Sequence, residues 1–210
     1  MLLTKRDKQN CIMSLIQMNE KQNIRKQFIL KRKEINIGFR ALASIAAAQH
    51  LLAHPLFKLS ERIACYYPYQ DEFDSLFIME MIWMQNKKCY LPVISKENKL
   101  IHFALYHSGD KLRPNQYSIY EPVHLNNSIP PNELDMVIVP LLSFDKMGHR
   151  LGTGGGYYDH TFSYLLNLKK EANRLVGLGF SNQKADQLLP TDSWDVPIQS
   201  IITEKEIMYF

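Results

Sequence analysis

The chain has 210 residues, 46% of them hydrophobic, and a formal net charge of +4. That length supports one substantial core, and the composition excludes a disordered chain. No run of about eighteen apolar residues occurs, which excludes a membrane-spanning helix. The N-terminus carries Lys5, Arg6 and Lys8 but no apolar segment with a small-residue cleavage site, so a cytoplasmic protein is expected.

Residues 1–33 hold nine Lys/Arg and two Asp/Glu, a local +7 that leaves −3 for the remainder. Residues 1–18 show no clear apolar stripe and read as a loose basic extension ahead of a single domain, 19–210. Glu20 to about Lys33 reads as a basic amphipathic helix. Its Lys21 and Arg25, spaced i and i+4, point one way. They fit either a solvated charged face or a clamp for nucleotide phosphates. A nucleic-acid binder would spread its basic residues over a folded face, so no nucleic-acid partner is expected. Phe39 to about His54 is an alanine-rich helix ended by Pro55. His50 and His54 have metal-ligand spacing but no third ligand, and a packing role is expected.

A strand is expected over Arg62–Tyr67, stopped by Pro68. Asp74 or Ser75 caps a helix running to Met84 or Gln85, with Trp83 in its apolar face. Strands Cys89–Ile94 and Leu100–Tyr106 flank a turn. Residues 107–134, rich in Pro, Asn and Ser, read as a long connection. Met136–Leu142 is a buried strand, Tyr158–Asn173 a helix, and Arg174–Phe180 and Ile198–Thr203 the last strands. Three cysteines, Cys11, Cys65 and Cys89, form no CxxC and read as reduced thiols. Alternating strands and helices give an α/β three-layer sandwich, with a mostly parallel central sheet and helices on both faces.

In such a sheet the ligand crevice lies at the carboxyl ends of the strands. Four of the nine glycines fall within Gly152–Gly156, between a strand and a helix at that edge. Bare backbone N–H groups and the helix N-terminus make a phosphate cradle there, with Arg150 at its entrance and Asp159 placed to hold a metal. The loop is neither a P-loop nor GxGxxG, since no Gly-Lys-Ser/Thr follows and Tyr157 stands where a third glycine would fall. Tyr67, Tyr69 and Glu72 leave another strand on the same side and would face the glycine loop.

The segment Ser143-Phe144-Asp145-Lys146-Met147-Gly148-His149-Arg150-Leu151-Gly152-Thr153-Gly154-Gly155-Gly156-Tyr157-Tyr158-Asp159 closely resembles the signature of 5-formyltetrahydrofolate cyclo-ligases. Tyr69-Gln70-Asp71-Glu72-Phe73-Asp74 looks like that family's acidic folate segment. Lys21–Arg25 with Lys31, Arg32 and Lys33 looks like its N-terminal basic helix, and Leu189–Asp195 like its late loop. The blocks fall in family order from about residue 19 to the C-terminus.

The resemblance implies conversion of 5-formyltetrahydrofolate to 5,10-methenyltetrahydrofolate with ATP and Mg²⁺. It implies ATP binding by Lys21, Arg25, Arg150, Leu151, Gly152, Thr153, Gly154, Gly155, Gly156, Tyr157 and Tyr158. It implies folate binding by Tyr67, Glu72, Thr153, Gly154, Gly155, Gly156 and Tyr157, with Glu72, Arg150 and Tyr157 as the catalytic group and Asp159 and Asp192 on the metal. Two departures stand out. Thr153 and Gly155 occupy a loop where some relatives carry Lys or Arg, and His160 follows the Tyr-Tyr-Asp where many have Arg. The N-terminal helix would then carry more of the phosphate charge. A monomer is the default expectation. Two other readings stay open: an ATP-dependent ligase or kinase for another small molecule, and a non-catalytic nucleotide- or RNA-binding relative.

Overall fold

The structure is a computed structural model describing residues 5–95, 97–125, 127–169 and 174–210, with residues 5–17 described in their backbone. Helices α1 (Lys5–Lys33), α2 (Ile37–Ala53) and α3 (Pro55–Leu59) precede β1 (Arg62–Ala64) and α4 (Leu76–Met84). Strands β2 (Lys88–Ile94), β3 (Ile101–Leu105), β4 (Leu112–Pro114), β5 (Tyr120–Pro122), β6 (Ser128–Ile129) and β7 (Met136–Pro140) follow. The short strands β8 (Ser143–Phe144) and β9 (Arg150–Leu151) lead to α5 (Tyr157–Thr161), then β10 (Leu175–Leu178), β11 (Ser200–Ile202) and β12 (Ile207–Tyr209).

Eight strands form one sheet in the order β12-β11-β10-β7-β1-β2-β3-β6. The five inner neighbours from β11 to β2 run parallel, and β12, β3 and β6 add antiparallel edges. Parallel strands are covered on both faces and need continuous apolar runs. Met136–Val139 and Leu175–Leu178 supply them, every residue buried. The period of two sorts these residues into two cores. Ile63, Met136, Ile138, Val176 and Leu178 meet Ala47 and Leu51 of α2 and Ile78 and Ile82 of α4. Ala64, Val137, Val139 and Leu175 face the opposite way, onto Phe162, Leu165 and Ile201. This is the expected three-layer sandwich.

Several local readings change. The N-terminal helix starts at Lys5 rather than Glu20, so most of the supposed loose extension is helical. Residues 5–33 contain no Gly or Pro and abound in Lys, Gln and Arg, and helix propensity does not require an apolar stripe. The long connection contains the β4–β5 hairpin and edge strand β6, strands too short to show periodicity. The glycine loop leaves the β8–β9 hairpin, not the buried strand directly. The helix expected over Tyr158–Asn173 ends at Thr161 and continues as a 3-10 turn over Ser163–Asn167; Lys170–Asn173 lie outside the described residues. Aromatic and β-branched residues there propagate an α-helix poorly. Leu76 N–H bonds Asp74 Oδ1 at 2.9 Å, so Asp74 rather than Ser75 supplies the cap to α4.

His50 and His54 are structural. His54 Nδ1 accepts from Leu56 N–H at 3.2 Å, which puts the proton on Nε2 toward Ser200 Oγ at 2.9 Å. His50 Nδ1 lies 2.9 Å from the Thr203 carbonyl. Cys65 and Cys89 are buried free thiols. No helix of the described residues is long and apolar enough to cross a membrane.

Candidate active site

A cleft of about 580 Å³ opens at the carboxyl ends of β1 and β7. It brings together Lys21, Arg25, Tyr67, Glu72, every residue from Arg150 to Asp159, and Asp192. Tyr69 is not among its walls; its contribution is a backbone N–H to Glu72 Oε2 at 3.2 Å.

Asp145, fully buried, builds the approach to the glycine loop. Its Oδ1 accepts the N–H groups of Met147 (2.8 Å) and His149 (3.1 Å). Its Oδ2 accepts Leu189 N–H at 2.9 Å and the His149 ring at 2.8 Å. Burial pushes its carboxyl up, but these donors outweigh that and hold it below the usual range. One side chain thus ties the β8–β9 turn to the late loop. Gly148 is required in that turn: its φ is +82°, and a Cβ would sit 2.7 Å from the Ile198 carbonyl oxygen. Asp145→Ala strands these donors in a dry site and is expected to cost about 3–5 kcal/mol, lowering Tm by roughly 10 °C in a thermal melt.

Beyond Leu151 the chain turns through Gly154 (φ +112°) and Gly156 (φ +69°) into the first turn of α5. That helix has five residues, so its dipole is weaker than a long helix would give. Arg25 supplies the charge that the loop lacks. Its Nε donates to the Gly152 carbonyl at 3.0 Å, and its guanidinium carbon would lie 3.7 Å from a Cβ at Gly154. The expectation that α1 carries more of the positive charge therefore has a geometric counterpart.

Lys21 and Arg150 are already paired. Lys21, 8% exposed, places Nζ 2.6 Å from both Asp192 Oδ2 and Asp195 Oδ2. Burial pulls the Lys21 ammonium down, and the two carboxylates more than reverse this. Arg150 Nη1 donates to Asp159 Oδ1 at 2.8 Å and to the Val196 carbonyl at 2.6 Å. Val196 N–H returns a bond to the same Asp159 oxygen at 3.0 Å. Asp159 Oδ2 and Asp192 Oδ1 keep no hydrogen-bond partner among the described residues. Two hard oxygen donors on one cleft fit Mg²⁺, which takes few carboxylates and fills its shell with phosphate oxygens and water. No cluster of three or more His, Cys, Asp or Glu among the described residues fits a fully protein-bound metal.

The far wall is aromatic. Tyr67 and Tyr157 line it, each backed by a further tyrosine: the Tyr67 and Tyr120 rings lie 5.4 Å apart, and Tyr117 and Tyr157 join their hydroxyls at 2.6 Å. Glu72 sits at the bottom. Burial pushes its carboxyl up to about 7, opposed by the charge of Arg32 and by the Tyr69 N–H. Sequence reasoning missed Asn115, Glu121 and Asp195 as parts of the site. Asn115 and Glu121 lie in the long connection, and only the β4–β5 hairpin brings them to the cleft. Asp195 lay within the late loop already quoted, but only the fold shows that it shares Lys21 with Asp192.

Fold and cleft define an α/β protein with a small-molecule site at its strand ends, cationic and glycine-turned on one side and aromatic with a buried carboxyl on the other. The model of the 5-formyltetrahydrofolate cyclo-ligase family matches residues 17–204. A 5-formyltetrahydrofolate cyclo-ligase from Haemophilus influenzae is 36% identical over 85% of this chain and 96% of its own length. One from Escherichia coli is 32% identical over 77% and 87%. The NMR structure of Aquifex aeolicus 5,10-methenyltetrahydrofolate synthetase superposes with a TM-score of 0.73 at 30% identity, covering 90% of this chain and 92% of that one. The chain belongs to the 5-formyltetrahydrofolate cyclo-ligase family.

Proposed function

We propose that this protein converts 5-formyltetrahydrofolate to 5,10-methenyltetrahydrofolate, consuming ATP and releasing ADP and phosphate. The observation that carries this reading is the two-sided cleft: a glycine loop under Arg25 on one side, Glu72 with a tyrosine wall on the other. The N5 formyl group is an unreactive amide, and N10 is a weakly nucleophilic arylamine. Direct closure would have to expel hydroxide. ATP removes that obstacle by transferring its terminal phosphoryl group to the formyl oxygen, with ADP leaving. N10 then attacks the activated carbon, the C–O bond breaks, phosphate departs, and N10 gives up its proton.

The residues have work at each step. Lys21, Arg25 and Arg150 hold the phosphates, and the backbone of Gly152–Gly156 lies against the transferring group. Asp159 and Asp192 hold Mg²⁺, which when bound offsets phosphate charge as the phosphoryl group moves. Glu72 accepts hydrogen bonds from the reduced pterin and aims the formyl oxygen at ATP. Tyr67 and Tyr157 flank the flat rings of the folate. Alignment and charge supply most of the rate. Residues 19–210 act as one domain, with the cleft spanning both of its ends.

The test is absorbance-monitored methenyltetrahydrofolate formation from purified protein and 5-formyltetrahydrofolate. Product is expected only when ATP and Mg²⁺ are both present. A folded, ATP-binding protein that makes none would discard the folate reading in favour of another acceptor.

A further inference from the structure

The turn carrying Glu72 is fastened by two arginines that do not line the cleft. Arg40, in the first turn of α2, spends its whole fork on backbone carbonyls. Nε donates to Ile35 at 3.2 Å, Nη1 to Asp71 at 2.8 Å, and Nη2 to Arg32 in a short bond. Its guanidinium also stands 5.4 Å over the Phe180 ring, which packs on Phe73 at 4.6 Å. The Asp71 carbonyl adjoins Glu72, and the Arg32 carbonyl is one of the orphan acceptors ending α1. One planar side chain therefore locks the end of the basic helix to the folate carboxylate's turn. A lysine has a single flexible ammonium and cannot make that fork.

Arg32 complements it. It is only 6% exposed, and its Nε is buried with no hydrogen-bond partner among the described residues. A buried guanidinium needs a compensating charge. The charges that favour it are those of Glu72 and then Asp71 on the same turn, a turn tied to the Arg32 carbonyl through the Arg40 fork, while the charge of Arg40 opposes it. The other titratable groups acting on this corner are the Tyr66 phenol, from the segment after β1, and the Tyr158 phenol, from α5. Burial holds both well above their ordinary values, so they stay neutral, and among the described residues Arg32 is the cation that acts on Glu72.

We propose that Arg40 and Arg32 are positioning residues for the folate carboxylate: Arg40 fixes where Glu72 stands, and Arg32 supplies its counter-charge. This rests on the reading of Glu72 as the folate acceptor. The two arginines have separable signatures. Loss of the fork shifts the carboxylate's place and raises KM for formylfolate, while the phosphate side, held by Lys21 and the glycine loop, is spared. Loss of the counter-charge leaves Glu72 in place but harder to ionise, and its titration moves to higher pH.

The test uses the full-length protein. Arg40→Lys is expected to raise KM for 5-formyltetrahydrofolate about tenfold while KM for ATP stays within about twofold. Arg32→Met is expected to move the acid limb of kcat/KM for formylfolate up by about one pH unit, and Arg32→Lys to restore most of it. A ¹³C titration of the Glu72 carboxyl, compared between wild type and Arg32→Met, reads the same shift without turnover. Should Arg40→Lys not fold, Arg40→Gln, which keeps one amide for the Asp71 carbonyl, takes its place. Equal rises in both KM values, or an unmoved Glu72 titration, overturn the proposal. Wild-type protein that makes no methenyl product overturns the folate reading instead, and the carboxyl titration still decides for Arg32.

Discussion

Asp159→Asn lowers kcat by about a hundredfold or more while leaving the protein folded. Oδ1 takes both Arg150 Nη1 and Val196 N–H, and asparagine keeps an oxygen that accepts both. What is lost is the negative charge and the second oxygen, the one turned to the metal in the proposed reaction. Arg150, with its side chain 5% exposed, loses its ionic partner but keeps the Val196 carbonyl. The stability cost should therefore be about 1–2 kcal/mol, a few degrees in Tm, rather than that of a fully abandoned buried charge. Steady-state kinetics at saturating ATP, beside a thermal melt, separate the two effects. Near-normal turnover would remove Asp159 from the metal.

Glu72→Gln has the second large effect, and its size depends on pH. In the wild type, kcat/KM for formylfolate should fall about tenfold per unit below pH 7, as the buried carboxyl takes up a proton. The glutamine variant should be slower throughout and lack that limb, while its affinity for ATP is unchanged. Stability runs the other way. Desolvation raises the folded-state value above the ordinary 4.5 to about 7, so the folded protein binds more protons than the unfolded chain across that window. Stability from this group is then full below about pH 4.5 and is lost as pH rises through 7. Glutamine carries no such penalty. Relative to wild type, the variant should gain up to about 3 kcal/mol between pH 4 and pH 8, read as a Tm difference that grows with pH. A flat difference would show that Glu72 does not titrate in this range.

Much of this site was legible before any fold was known. Glycines, Arg150 and Asp159 are adjacent in sequence, and local chemistry such as a tight turn with bare amides is written locally. The parallel strands were legible because burial on both faces forces continuous apolar runs such as Val137-Ile138-Val139. Short elements were not. Three residues of β4 or β5 cannot display a period, and the pair forms only because each completes the other. The partnerships of Lys21 with Asp195, and of Arg40 with the Asp71 carbonyl, join residues far apart in the chain and were unreadable for that reason. The N-terminal helix fell between these cases. The part from Glu20 was visible, while its first turns carry good helix formers without an apolar stripe.

The bridge from Lys21 to Asp192 joins residues 171 positions apart. A chain emerging from the ribosome presents its basic helix first and the acid that holds it almost last. Every strand of the parallel sheet except β11 is made before that acid appears. The Lys21 corner of the cleft thus closes only after most of the parallel sheet has been made. A chain stopped short of Asp192 would have most of its core and no completed site.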